Sequence, residues 1–232
     1  MTSVILDYGH GGTDPGACSG NYKESEWNLD TGKACKKELE RHNVVVYETR
    51  TANETLSLTQ RANIANQTNA KYLVSIHHNA GGGDRGEVIH SISNSGKPLA
   101  EKIASELKSI GQSTNKVYSR KSETTNKDYY AMIKNPKAIS VIVEVCFIDN
   151  AIDRQIADTK EERERNGVAI AHGILKELGI SIKSTTTPST STTNNGTLWA
   201  VCVGAYKDKN TANNLVKELI GKGYKDTYLI PR

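Results

Sequence analysis

VILDYGHGGTDPGA, residues 4–17, opens with a short aliphatic run, Val4-Ile5-Leu6, that stops at Asp7 and gives way to a histidine between glycines. An apolar run this short, closed by glycine, reads as a buried strand. The glycines let the following loop turn tightly and leave the His10 imidazole uncovered. Strand-like runs recur at 44–47, 72–76, 87–92 and 139–145, and helix-like segments at 25–41, 57–68, 99–111 and 161–178 alternate with them. The alternation predicts an α/β domain, a mostly parallel twisted sheet flanked by helices. In such sheets functional groups gather in loops past the C-terminal ends of strands, and His10 falls in one.

The 232 residues, 36% hydrophobic and 24% charged, suit one domain of ordinary size with a small appendage. No apolar run approaches the roughly 20 residues that span a bilayer, so no membrane insertion is expected. Met1-Thr2-Ser3 leads straight into the first strand, so no secretory signal is expected. On those terms synthesis in the cytoplasm is expected, with any extracellular target reached after lysis, by holin-type release or by another export route. Cys18, Cys35, Cys146 and Cys202 form no CxxC pair and read as free thiols.

Residues 1–180 carry equal numbers of basic and acidic side chains, so the net charge of +4 resides in 181–232. A basic tail on a neutral body suits an anionic surface. No nucleic-acid partner is expected. Residues 181–196, rich in Ser, Thr and Asn, read as a linker. In 197–232 a strand at 198–206, an amphipathic helix at 211–221 and a strand at 227–230 suggest a small β-α-β module. About 36 residues are few for an independent core. Pairing with a second copy, giving a homodimer, or packing on the main domain is expected.

Four residues of the main domain invite chemistry. Within KESEWNLD, a helical rotation of 100° per residue puts Glu24 on a face with Asn28, Thr31, Cys35 and Leu39. Glu26 points the other way, beside Lys33, Lys37 and Glu40, so Glu24 is the inward carboxylate. The strand at 72–76 ends in His77 and His78, which must face opposite sides of the sheet. Alternation alone does not choose between them. Glu144 interrupts the apolar run ISVIVEVCF, where an unpaired carboxylate is costly to bury and its pKa rises toward the range of a general acid or base. Two histidines and a carboxylate, with one position left to water, form a common catalytic zinc set. A second carboxylate nearby is the usual proton-transfer partner.

Five segments in order also carry a resemblance: DYGHGGTDPGA, KESEWNL, LTQRANIAN, VSIHHNA and VIVEVCFIDN. Together they resemble the zinc-dependent N-acetylmuramoyl-L-alanine amidases of the amidase-3 type, across residues 1–180. The resemblance implies one zinc ion per catalytic domain, held by His10, Glu24 and His77, with Glu144 as the catalytic glutamate. It implies hydrolysis of the amide between N-acetylmuramic acid and L-alanine in peptidoglycan. Asn79 and Arg61 are separate candidates for orienting substrate or ligands, since groups behind the ligands fix histidine tautomers. The chain departs from the family at Tyr8, where proline is usual, and at His78, where a small residue is common. The tail, LWAVCVGAYKDKNTANNLVKELIGKGY, resembles half of a sporulation-related repeat domain that binds the cell wall. A phage or prophage endolysin and a sporulation-associated autolysin both suit this combination. The competing readings are another zinc hydrolase of wall polymer, a peptidase or deacetylase, and a non-catalytic wall-binding protein.

Overall fold

The computed structural model describes residues 2–112, 115–183, 206 and 208–222. Two compact units divide between Ser184 and Thr185. The first contains β1 (Ser3–Tyr8), β2 (Cys18–Ser19), β3 (Tyr22–Lys23), α1 (Glu24–Arg41), β4 (Val45–Glu48), α2 (Leu58–Asn66), β5 (Tyr72–Asn79) and β6 (Gly86–His90). It continues with α3 (Lys97–Ser109), β7 (Asn115–Ser119), α4 (Ala131–Lys134), β8 (Ile139–Phe147), a 3-10 turn at Asp153–Ile156 and α5 (Lys160–Leu178). In the second unit α6 (Lys209–Gly221) starts at Asp208, whose side chain accepts from the Thr211 amide at 2.7 Å. The strands expected at 198–206 and 227–230 lie outside the described residues except Tyr206, as do all but three residues of the expected linker.

Six strands form one sheet in the order β4-β1-β5-β8-β6-β7. β4, β1, β5 and β8 are parallel, while β6 pairs antiparallel with β8 and β7 follows β6. The chain leaves β1 toward β4 and, after β5, crosses to the other side of the sheet. β1 and β5 therefore flank a switch point, whose crevice at the strand C-termini is where such folds bind ligands.

Alternation assigns each strand residue to one of two layers. Val4, Leu6, Tyr8, Val74, Ile76, Val141 and Val143 pack with α1, α3 and α5. Ile5, Leu73, Ile89 and Ile142 pack with α2 and α4 on the other side. The helices start where the chain satisfies their first amides. Ser57 with Gln60 on α2, and Thr159 with Glu162 on α5, form capping boxes. α1 has no side-chain cap; the Glu24 and Ser25 amides donate to the Ala17 and Pro15 carbonyls of the preceding loop.

Tyr8, the departure from the resembling family, has a structural reason. Its fully buried ring lies on α1 at Gly32, where a Cβ would come within 2.1 Å of Tyr8 Cδ1. Its hydroxyl donates to Glu48 Oε1 at 2.9 Å. The aromatic ring and the helical glycine are one packing solution. Gly32→Ala is expected to cost about 1–3 kcal/mol of stability by overpacking, and Tyr8→Phe about 1 kcal/mol through the lost hydrogen bond. Denaturation midpoints check both, and an unchanged midpoint for Gly32→Ala would contradict the contact.

Candidate metal centre

The α2/α4 side of the sheet turns polar one pleat repeat beyond its apolar layer. Ile5 is followed by Asp7, Leu73 by Ser75 and His77, and Ile142 by Glu144; on antiparallel β6, Glu87 precedes Ile89. His77 on β5, Glu144 on β8 and Glu87 on β6 stand in register across three adjacent strands. Gly9 continues β1, donating to the Ile76 carbonyl at 3.1 Å. A Cβ on Gly9 would lie 2.1 Å from His77 Cε1, so only glycine lets that ring cross the end of β1.

Glu24 enters from the first turn of α1. Its Oε2 lies 3.2 Å from His10 Nε2 and its Oε1 2.8 Å from His77 Nδ1. One ligand atom from each of His10, Glu24 and His77 lies within 4.8 Å of the others. Zinc bonds of about 2.0–2.2 Å set tetrahedrally place ligand atoms about 3.4 Å apart, so this nitrogen, nitrogen, oxygen set fits that ion. Burial alone would raise the Glu24 carboxyl, but the two histidines hold it far below its ordinary range. Burial would lower His77, yet the bond to Glu24 and the charges of Glu144 and Glu24 raise it to about 9. His10 is raised in the same way, against burial, by Glu24 and Asp14. The buried Glu24 carboxylate is thus the negative group that holds both imidazoles.

His10 donates from Nδ1 to Asp14 Oδ2 at 2.7 Å, which turns Nε2 toward Glu24. Glu144 has one oxygen, Oε2, shielded from solvent and without a hydrogen-bond partner among the described residues. Burial, with Glu24 and Glu87 adding to it and His77 opposing, pushes its carboxyl up to about 7. His78 faces the α1 side, and burial pushes it down to about 3, so it is neutral. The Asn79 side chain accepts from the Ala80 amide at 2.9 Å.

Two buried arginines hold the His10 loop from below. Arg61 Nη1 donates to Asp7 Oδ1 at 2.9 Å and to the Tyr8 carbonyl at 2.7 Å, and its Nη2 to the His10 carbonyl at 2.6 Å. Arg50 donates to the carbonyls of Tyr8, Gly9, Ser25 and Ala52. Leu56 and Leu58 form an apolar wall of the cleft that contains His10, Asp14 and His77. Sequence reading missed Asp14 and Arg50. The one available signal for Asp14 is its place four residues after His10 in a turn-forming TDPG segment.

Residues 4–176 match the family profile described as N-acetylmuramoyl-L-alanine amidase (Amidase_3). The chain is 27% identical over 228 residues to N-acetylmuramoyl-L-alanine amidase CwlM of Bacillus licheniformis, covering 97% of this chain and 83% of that protein. It is 31% identical over 185 residues to the endolysin of Bacillus phage SPP1, covering 78% and 68% respectively. Among solved structures it resembles the catalytic domain of CwlV, an N-acetylmuramoyl-L-alanine amidase from Bacillus (Paenibacillus) polymyxa var. colistinus. The TM-score is 0.68 at 25% identity, over 78% of this chain and all of that domain.

The Asp7–Arg61 pair yields a pH prediction. Burial would raise the Asp7 carboxyl, but Arg61 and the Ser75 and Thr49 hydroxyls hold it below its ordinary 3.8. A depressed folded-state pKa contributes stability that is complete above the unfolded value and is lost as pH falls through the folded one. Asp7→Asn is therefore expected to lose about 3–5 kcal/mol near pH 7, leaving Arg61 without its counter-charge. Its penalty relative to the parent should shrink below pH 4. Urea titrations at pH 7 and pH 3 check this, and an equal penalty at both would refute it.

Proposed function

The chain belongs to the N-acetylmuramoyl-L-alanine amidase family, and we propose that His10, Glu24 and His77 hold a zinc ion while Glu144 moves the proton in peptidoglycan amide hydrolysis. The observation that supports these roles is the convergence of two imidazoles on one buried carboxylate, with the unpartnered Oε2 of Glu144 one strand away. When bound there, zinc supplies Lewis acidity that activates water and polarises the scissile carbonyl.

The protein's own groups do the rest. Asp14 holds the His10 proton on Nδ1 and leaves Nε2 as the ligand atom. Glu144 takes a proton from the attacking water and returns it to the departing L-alanine nitrogen, a role for which its raised affinity for a proton suits it. The bond broken joins the lactyl carbonyl of N-acetylmuramic acid to that nitrogen. Leu56 and Leu58 offer an apolar wall against which the lactyl and alanine methyl groups can lie.

Among the described residues no helix is long and apolar enough to cross a membrane. The basic segment beyond residue 180 is the part of the chain we assign to wall attachment, and a wall exposed by lysis is the setting that the likeness to a phage endolysin supports.

Mass spectrometry of muropeptides digested by zinc-loaded enzyme, against a chelated control, tests the reading. New L-alanine amino termini are expected; released acetate or cleavage within the stem peptide would instead mark a deacetylase or a peptidase. Glu144→Gln should keep its zinc and lose about 10²–10⁴-fold in turnover. Full activity in that variant would exclude the role given to Glu144. Asp14→Asn is expected to weaken zinc binding by about 10–100-fold, read by competition with a chromogenic chelator, and unchanged affinity would remove Asp14 from the site.

A further inference from the structure

His78 is the second departure of this chain from the family it resembles, and its surroundings give it a task. On β5 it faces away from the cleft, buried to 1% exposure, with its ring edge-on to Trp27 at 5.3 Å. Its Nδ1 lies 2.8 Å from Asn28 Oδ1. Its Nε2 is shielded from solvent and has no partner among the described residues. An imidazolium would leave a charged N–H buried and unpaired there, so the ring is neutral.

The orientation of Asn28 follows from its partners. Its Nδ2 donates to the Gly9 carbonyl at 3.1 Å and to Glu24 Oε1 at 3.3 Å, and both are acceptors only. The amide nitrogen must therefore face the cleft and the amide oxygen must face His78. That oxygen needs a donor, so the single proton of the neutral imidazole sits on Nδ1. Glu24 Oε1 also accepts from the His78 backbone amide at 3.3 Å, and Oε2 from the Ala17 amide at 2.9 Å. These three donors fix the carboxylate plane, with Oε2 toward His10 and Oε1 toward His77.

We propose that His78 is a positioning residue for the metal ligand Glu24, acting through Asn28. The proposal rests on the zinc reading above. Removing the imidazole donor leaves Asn28 Oδ1 buried and unsatisfied. The amide then loses the partner that holds it in this orientation, and any movement of its oxygen toward another donor weakens the bond from Nδ2 to Glu24 Oε1 and loosens the carboxylate. A histidine here thus tunes metal affinity without touching metal or substrate.

The test uses the full chain. Zinc affinity is measured by chelator competition, and the apo-protein's stability by urea denaturation, for the parent, His78→Phe, His78→Gln and His10→Ala. His78→Phe keeps an aromatic ring against Trp27 and removes the donor; His78→Gln keeps an N–H donor. The expected result is a loss of about 10–100-fold in zinc affinity for His78→Phe, with His78→Gln restored to within a few-fold of the parent. The ¹¹³Cd resonance of the cadmium-substituted protein should shift in His78→Phe, reporting a changed Glu24 ligand. Parental zinc affinity in His78→Phe, with only its stability reduced, would mean that His78 merely packs. A long-range ¹⁵N–¹H correlation on the parent needs no variant: the His78 proton must be on Nδ1, and finding it on Nε2 overturns the proposal. Zinc bound as tightly by His10→Ala as by the parent would instead overturn the underlying zinc reading, a separate failure.

Discussion

Three consecutive backbone carbonyls, those of Tyr8, Gly9 and His10, point at two buried guanidinium groups, and the site is assembled on that clamp. The geometry is demanding because His10 has a φ of 60°, a left-handed conformation that costs a non-glycine residue about 1–2 kcal/mol. The bond from Arg61 to the His10 carbonyl and the backbone pairing of Gly11 with Asp14 hold it there. Asp7 pairs with Arg61, whereas Arg50 is met by carbonyl dipoles. Burial and the neighbouring charge of Arg61 accordingly bring Arg50 down to about 10. Arg50 also takes the Ser25 carbonyl in the first turn of α1, so the loop carrying His10 and the helix carrying Glu24 share one anchor.

Glu24 answers two demands at once. As the first residue of α1 its charge favours the helix start, where amides expose their positive ends. The same carboxylate lies between two imidazoles and accepts from the Ala17 amide in the loop that caps the helix. Helix initiation, loop closure and the placement of the two imidazoles are thus coupled through one side chain. A change to any of the three disturbs the other two, which is how a site formed from a loop, a helix and a strand keeps its shape.

Much of this was legible in the chain. The 100° rotation that separates Glu24 from Glu26 is a local rule, and the structure has Glu24, Asn28, Thr31, Cys35 and Leu39 buried along one stripe with Glu26 exposed. The parallel strands announce themselves because both faces are covered and their apolar runs are continuous. β7 escaped notice since NKVYS is an edge strand, only partly buried and without an apolar run. The choice between His77 and His78 depends on which face of β5 carries the cleft, and alternation says only that the two differ. The reason for Tyr8 lies at Gly32, 24 residues away in the chain and directly against its ring. Arg50 leaves no periodic trace because its partners are backbone carbonyls, and the place of Asp14 beside His10 depends on the conformation of the loop that joins them.

The order of the sheet has a consequence for how the molecule comes into being. β8 lies between β5 and β6, yet it follows both in the chain, with 59 residues between the end of β5 and its own start. Without Ile139–Phe147 the sheet would leave β5 and β6 as two unpaired edges, joined by the short loop between Asn79 and Gly86. Open edges of that kind invite pairing with other chains, and long-range strand insertion is slow. Glu144 rides on this last strand. During synthesis from the N-terminus His10, Glu24 and His77 therefore emerge well before Glu144, and the strand that closes the sheet is also the one that brings Glu144 beside them.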